Sequence, residues 1–201
     1  MRLRNDPNAQ NVIDTSPYVI RDFPIELNSK TILEIGMGKG EMLTQLAANN
    51  PNNFYIGIEK YPTVVVKALK KAKELNLNNF QVICDDVSNL TNKFSGKVNE
   101  IWLTFSDPWP KKRHFKRRLT YKSFLDIYKS ILSSDGTLKI KTDNDAFFNW
   151  SREHISDYGA KIIFETNDLH NSVKNINNVC TGYEIKWSQR GKNINYMEVK
   201  F

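Results

Sequence analysis

Three groups of residues in this 201-residue chain have the types and spacing to do chemistry. The first is Glu34-Ile35-Gly36-Met37-Gly38-Lys39-Gly40. Glycines at a strand-to-helix turn let backbone approach a ligand closely and adopt positive φ. The spacing is G-x-G-x-G. It is not the dinucleotide pattern G-x-G-x-x-G, because Glu41 occupies the place of the last glycine, and it is not a P-loop. Glu34, two places before Gly36, is ill suited to a pyrophosphate. It suits a ligand with a cationic amino group, such as S-adenosylmethionine. Read alone, the glycines could also be a plain tight turn, with Gly36 and Gly38 as the candidates for ligand contact.

The second group is acidic. Glu59 ends an apolar run, and an acid there can accept from both ribose hydroxyls of an adenosine. Cys84-Asp85-Asp86 ends the next run, where a carboxylate can accept from an adenine amino group. The doubled aspartate leaves the register open by one; Asp86 is preferred because it keeps the spacing to Leu90. Helix capping would explain any single acid. Three acids in the order an adenosyl ligand needs point to the ligand instead.

The third group is Phe105-Ser106-Asp107-Pro108-Trp109-Pro110-Lys111-Lys112-Arg113-His114-Phe115-Lys116-Arg117-Arg118. Its two prolines stiffen the first half and bias their neighbours to extended geometry. Trp109 offers a flat face for a base or for packing. The second half, with its interleaved aromatic rings, suggests phosphate contacts beside a base pocket. Arg113, His114, Phe115, Lys116, Arg117 and Arg118 are the candidate RNA contacts. A solvated charged face is the alternative. A membrane surface fits poorly, because the run has no amphipathic apolar face.

The elements that must position these groups alternate between strand and helix from Lys30 onward, which predicts an α/β fold with a mainly parallel sheet. Strands are expected at Thr31–Ile35, Phe54–Ile58 and residues 80–84, 100–105, 137–141, 161–164 and 193–201. Helices are expected at Glu41–Asn49 and residues 62–75, 121–132 and 145–158, each with apolar residues at helical spacing. Residues 167–178 read as a polar loop. Residues 1–29 read as a loose arm with one short helix, and 30–201 as the single domain.

Composition narrows the class. With 40% hydrophobic and 25% charged residues the chain is an ordinary globular protein. The formal charge of +7 suits a polyanionic partner. No signal peptide or transmembrane run is visible. Cys84 and Cys180, the two cysteines, have no metal-ligand or disulfide pattern and are expected to be small buried residues in a reduced, cytoplasmic protein. His154 and His170 are expected at the surface, Trp150 and Trp187 in packing.

The strings LEIGMGKGE, GIE, FSDPWPKKRH…KRRLTY, KTDN and TGYE resemble the bacterial tRNA (guanine-N7)-methyltransferase family. The resemblance spans nearly the whole chain from Lys30, and its DPWPK segment is specific. It implies the class I methyltransferase (Rossmann-like) sheet, mostly parallel with one antiparallel strand, in the order 3-2-1-4-5-7-6, with helices on both faces. It implies methyl transfer from S-adenosylmethionine to N7 of guanine 46 in the tRNA variable loop. By the resemblance, Glu34, Glu59, Asp86 and Asp107 would contact the cofactor, with Asp107 also at the reacting centre. Lys111, Asp143, Thr181, Gly182, Tyr183 and Glu184 would bind substrate. Family members often have Asp-Ala where this chain has Asp86-Val87, and the arm before Lys30 is short. From the residues alone, Asp143 reads as a helix N-cap, and Thr181 and Glu184 as loop and strand-edge residues. No metal is expected, and a monomer and a homodimer are both open. Two competing functions remain: methylation of an exocyclic amine, and a non-catalytic tRNA-binding module.

Overall fold

The structure, a computed structural model, describes residues 6–90 and 92–201. Residues 1–5 of the expected arm lie outside the described residues. A short helix, α1 (Ala9–Thr15), is followed by β1 (Ile25–Leu27) and then by the main sheet. That sheet begins with β2 (Thr31–Ile35), α2 (Glu41–Asn49), β3 (Phe54–Ile58), α3 (Pro62–Glu74) and β4 (Phe80–Ile83). After β5 (Phe94–Gly96) come β6 (Val98–Thr104), α4 (Lys122–Ile131), β7 (Leu132–Thr142), α5 (Asp145–Asp157), β8 (Lys161–Thr166), α6 (Gly182–Ser188) and β9 (Asn195–Lys200).

The seven-stranded sheet runs β4-β3-β2-β6-β7-β9-β8. All pairings from β4 to β7 are parallel, and β9 is antiparallel to both β7 and β8. Counted within this sheet, that is the expected order 3-2-1-4-5-7-6. The parallel strands are apolar over most of their length because helices cover both faces. One core, with Leu33, Ile35, Leu103, Leu125, Tyr128 and Phe148, fills one side. A second, with Leu43, Tyr55, Val65, Ala68 and Phe80, fills the other. Gly57 is needed on β3 for close approach: a Cβ there would lie 2.0 Å from Met37 Sδ.

The arm differs from expectation. It is packed rather than loose: Ala9, Ile13 and Val19 are buried, and Ile20 N donates to Val82 O at 2.9 Å. β1 also pairs in parallel with β5. The bonds of Tyr18 and Ile20 to Val82 seat the segment on the edge of the sheet at β4, whose outer hydrogen-bonding groups would otherwise be open. The strand expected at 137–141 is longer, because Leu132 pairs with Val98 and the bulge at Val98/Glu100 absorbs the turn at Asp135-Gly136. Within 167–178 lies a 3₁₀ turn, Val173–Asn177, and α6 follows where no helix was expected.

Candidate active site

A cleft of about 760 Å³ opens at the carboxyl ends of β2, β3, β4 and β6. Open parallel sheets bind ligands there, where strand order reverses and helix N-termini point inward. Gly36, Gly38, Glu59, Asp85, Asp86, Asp107 and Trp109 all line it. Sequence spacing had placed these residues together, and the topology explains why: each ends or follows a neighbouring strand.

The glycine turn is shaped by its backbone. Gly36, Gly38 and Gly40 have φ of 72°, 58° and 66°, which side chains rarely tolerate. Gly36 N and Met37 N both donate to Ile58 O, at 2.8 and 3.1 Å, so the turn is fixed to the end of β3. Glu59 grips the same turn from β3. Its Oε2 accepts from Gly38 N at 3.2 Å and its Oε1 from Tyr61 N at 3.0 Å. Burial raises the Glu59 carboxyl above its usual range, against those hydrogen bonds.

Glu34 lies behind the turn, buried, and its Oε2 has no hydrogen-bond partner. Burial pushes its carboxyl up to about 7, partly offset by the Thr104 hydroxyl and the Lys141 ammonium. A buried, unpartnered carboxylate oxygen is costly, and Glu34, unlike Glu59 and Asp86, is not among the residues that line the cleft.

The two aspartates after β4 differ. Asp85 forms a short ion pair with Lys93 and accepts from Asn89 Nδ2 at 2.8 Å. Although burial works to raise it, Lys93 and Asn89 hold its carboxyl below the usual range. Asp86 accepts from Ser88 N at 3.0 Å and so caps the following 3₁₀ turn, with Lys60 3.9 Å away. Asp86 does cap, as the simpler reading holds, while its half-exposed side chain still faces the cleft. Asp85 is the more fully engaged of the two.

After β6 the chain turns sharply at Phe105 (φ 51°) and again at Trp109 (φ 41°). Asp107 is exposed between these turns, on the cleft wall. Lys116 and Arg117 also line the cleft, and Lys111 and Arg113 are exposed beyond it. His114 sits edge-on to Trp109 at 5.7 Å, and the Arg117 guanidinium lies 5.0 Å from the Trp109 ring. Arg118 departs from its expected role. It is buried, with its guanidinium turned into the protein. Phe115 is half-buried against Trp150 rather than free for a base.

Asp143 is not the N-cap of α5. Asn144 is, its Oδ1 accepting from Phe147 N at 2.8 Å. Asp143 Oδ2 instead accepts from Tyr183 Oη at 3.0 Å, which joins two candidates that lie 40 positions apart in sequence. The Tyr183 ring packs on Phe105, with centroids 5.1 Å apart. Gly182 N donates to Glu41 Oε2 at 2.7 Å, fixing the start of α6 to the start of α2. α6 thus carries Tyr183 to the loop that holds Asp107.

Comparison with known proteins identifies the chain. Residues 28–197 match a family described as "Putative methyltransferase". The tRNA (guanine-N(7)-)-methyltransferase of Mycoplasma mobile is 52% identical over 201 residues, covering 100% of both chains. Its counterpart in Mycoplasmopsis pulmonis is 54% identical over 201 residues, covering 100% of this chain and 99% of that one. The chain belongs to the tRNA (guanine-N7)-methyltransferase family. Solved structures agree on the fold. An antibiotic-related methyltransferase superposes with a TM-score of 0.59 at 15% identity, covering 100% of this chain and 96% of that one. The antibiotic-resistance methyltransferase Kmr gives 0.57 at 12% identity, covering 85% of each.

Glu184, a substrate contact by the family resemblance, also has a structural place. It is buried, its Oε2 paired with Lys141 Nζ at 2.9 Å and its Oε1 accepting from His170 and Asn178, both at 2.8 Å. Burial works to raise its carboxyl, but Lys141, Asn178 and His170 outweigh that and hold it below the usual range. Such a buried, paired carboxylate anchors α6. The sequence carried a signal for this helix: Thr181-Gly182-Tyr183-Glu184 fits the S/T-x-x-E start pattern, and Thr181 Oγ1 accepts from Glu184 N at 3.0 Å. His170 is half-buried in this network, and Cys180 beside it is exposed rather than buried; Cys84 is half-buried. The ligand atoms of His170, Cys180 and Glu184 lie within 4.8 Å of one another. The buried Lys141 ammonium already supplies positive charge to that carboxylate, so the cluster is held by hydrogen bonds. His154 is half-buried and stacks between Tyr121 and Trp150.

Proposed function

We propose that this chain transfers a methyl group from S-adenosylmethionine to N7 of a guanine in tRNA, the guanine at position 46 of the variable loop. One observation carries the reading beyond family membership. The cleft that Glu59 and Asp86 line is the same cleft that Asp107, Trp109, Lys116 and Arg117 line. Donor and nucleic acid therefore meet at one strand end.

The residues present fit the cofactor. Glu34 offers a carboxylate oxygen without a partner to a cationic amino group. Glu59 offers a half-satisfied carboxylate to ribose hydroxyls, and Asp86 faces the cleft where an adenine amino group would lie. When bound, S-adenosylmethionine supplies an already activated, electrophilic methyl group.

Guanine N7 carries a free lone pair and has no proton to lose, so this chain needs to place the base in line more than to move protons. Positive charge grows on the guanine ring during transfer. The Asp107 carboxylate stabilises that charge and orients the base; it is not a general base. Trp109 and the Tyr183–Phe105 pair supply flat apolar surface beside it, and Lys111, Arg113, Lys116 and Arg117 supply phosphate contacts.

The test is label transfer from methyl-labelled cofactor to unmodified tRNA, with the modified nucleotide identified by digestion and mass analysis. Label on N7 of the variable-loop guanine is expected, and Asp107→Ala should bind tRNA yet transfer slowly. Label on an exocyclic nitrogen would refute the proposal.

A further inference from the structure

The run 111–118 holds one cation that does not face solvent. Arg118 is 5% exposed, whereas Lys111, Lys112, Arg113, Lys116 and Arg117 are exposed. Its guanidinium sits against two aromatic rings, Phe115 and Trp150, whose planes are tilted by 55° with centroids 5.4 Å apart. The guanidinium carbon is 3.8 Å from the Phe115 ring centroid and 4.3 Å from that of Trp150. Trp150 stacks on His154 at 4.7 Å and 13°, and His154 on Tyr121 at 5.2 Å and 12°. A guanidinium suits such an aromatic seat, because it is weakly hydrated and packs on aromatic faces.

From that seat Arg118 reaches the loop after Asp107. Its Nε donates to Pro108 O at 2.8 Å and its Nη2 to Trp109 O at 3.3 Å. The loop needs this support. Pro108 and Pro110 have no N–H to give, and Trp109 is held at a positive φ of 41°. Among the described residues, the hydrogen bonds to the backbone of residues 106–110 are these two. Asp107 is the residue immediately before the first fixed carbonyl.

We propose that Arg118 is a positioning residue for methyl transfer: it clamps the Pro108 and Trp109 carbonyls from behind and so sets the Asp107 carboxylate, and it makes no contact with tRNA phosphate. The proposal rests on the reading that Asp107 meets the base. It divides the basic run by function. The exposed members hold RNA, and the last member holds the loop.

Arg118→Lys tests it, because lysine keeps the charge but loses the flat fork. At saturating tRNA and cofactor, kcat should fall on the order of 100-fold, the cost of misplacing a reacting group by about an ångström. The KM for tRNA and the log–log salt slope of tRNA binding should match the parent. The control Lys116→Ala should lower that slope by about 1. A slope lowered by about 1 in Arg118→Lys with kcat unchanged would make Arg118 a phosphate contact and overturn the proposal. So would a variant with neither quantity altered. Should Arg118→Lys fail to fold, Trp150→Leu keeps the arginine and removes one face of its seat. There kcat should drop at unchanged salt slope, and full kcat would overturn the proposal. Asp107→Ala, run in parallel, separates the two readings. If it turns over at the parent rate, the reading of the site has failed. If it is slow while Arg118→Lys is at full rate, the clamp alone has failed.

Discussion

Glu34→Gln is expected to make the cofactor-free protein more stable and the cofactor bind less tightly. Burial raises the Glu34 carboxyl from 4.5 to about 7. The folded state therefore holds a proton over a pH range where the unfolded chain has released it. A group with a raised folded-state pKa is tolerated below its unfolded value, and stability declines as pH rises from about 4.5 to about 7. At ~1.4 kcal/mol for each tenfold change in proton affinity, the gap amounts to about 3 kcal/mol once the carboxylate is fully ionised. Glutamine has nearly the same shape and does not titrate. It also brings a buried amide, but that cost is independent of pH. The clean quantity is thus the change with pH: the advantage of Glu34→Gln over the parent should grow by about 2 kcal/mol between pH 5 and pH 8. Urea unfolding at those two pH values, without cofactor, measures it. Titration calorimetry at pH 8 should meanwhile show S-adenosylmethionine binding weakened by about 2 kcal/mol, the worth of a charge-assisted contact. A stability difference that stays flat from pH 5 to pH 8 would mean that Glu34 is not the strained acid. Unchanged affinity would remove it from the cofactor site.

Three further outcomes follow from the same geometry. Glu59→Ala should weaken cofactor binding by about 2 kcal/mol in calorimetry, since it loses a bidentate charged acceptor; an unchanged affinity in a folded variant would exclude Glu59. Replacing Lys116 and Arg117 together by alanine should reduce the log–log salt slope of tRNA binding by about 1 to 2 and leave cofactor affinity intact, and an unaltered slope would make the run a solvated face. A tRNA with 7-deazaguanine at the variable-loop position should bind like the normal one but accept no methyl group, because carbon replaces the nucleophile; full methylation would move the reaction to another atom.

Much of the fold was legible because parallel βα units announce themselves locally. Thr31–Ile35, Glu41–Asn49 and Phe54–Ile58 have in the structure the bounds that periodicity gives them. The cleft acids were legible for a related reason: strand ends are set by where apolar runs stop, so residues at those ends converge in any sheet of this order. What was not legible depends on contacts between distant segments. β1 and β5 span three residues each and are strands only because they pair with one another. Asp143 reads locally as a helix N-cap, whereas Asn144 caps and Asp143 meets Tyr183, which a distant helix brings. Arg118 looks like its neighbours in a basic run; its burial depends on Trp150, which a different helix brings.

Glu184 carries a structural demand beside the substrate role that the family resemblance implies. Taking a carboxylate and an ammonium out of water together costs several kcal/mol for each ion, and the pair breaks even only with good geometry and with its remaining donors and acceptors satisfied. Both conditions hold. Lys141 and Glu184 are almost wholly buried, 2.9 Å apart. Lys141 Nζ also donates to Asn178 Oδ1 and Val179 O, each at 3.0 Å, so its three donors are all used. Either partner left alone would be a buried, unpaired charge, a loss of about 3–5 kcal/mol. Selection at a site that binds substrate and selection at a site that holds such a pair leave the same trace in a sequence. Lys141 is the penultimate residue of β7, two places before Asp143, and Glu184 lies in α6 next to Tyr183. The ion pair therefore fixes the two elements whose neighbours, the half-buried Asp143 and the exposed Tyr183, meet 3.0 Å apart.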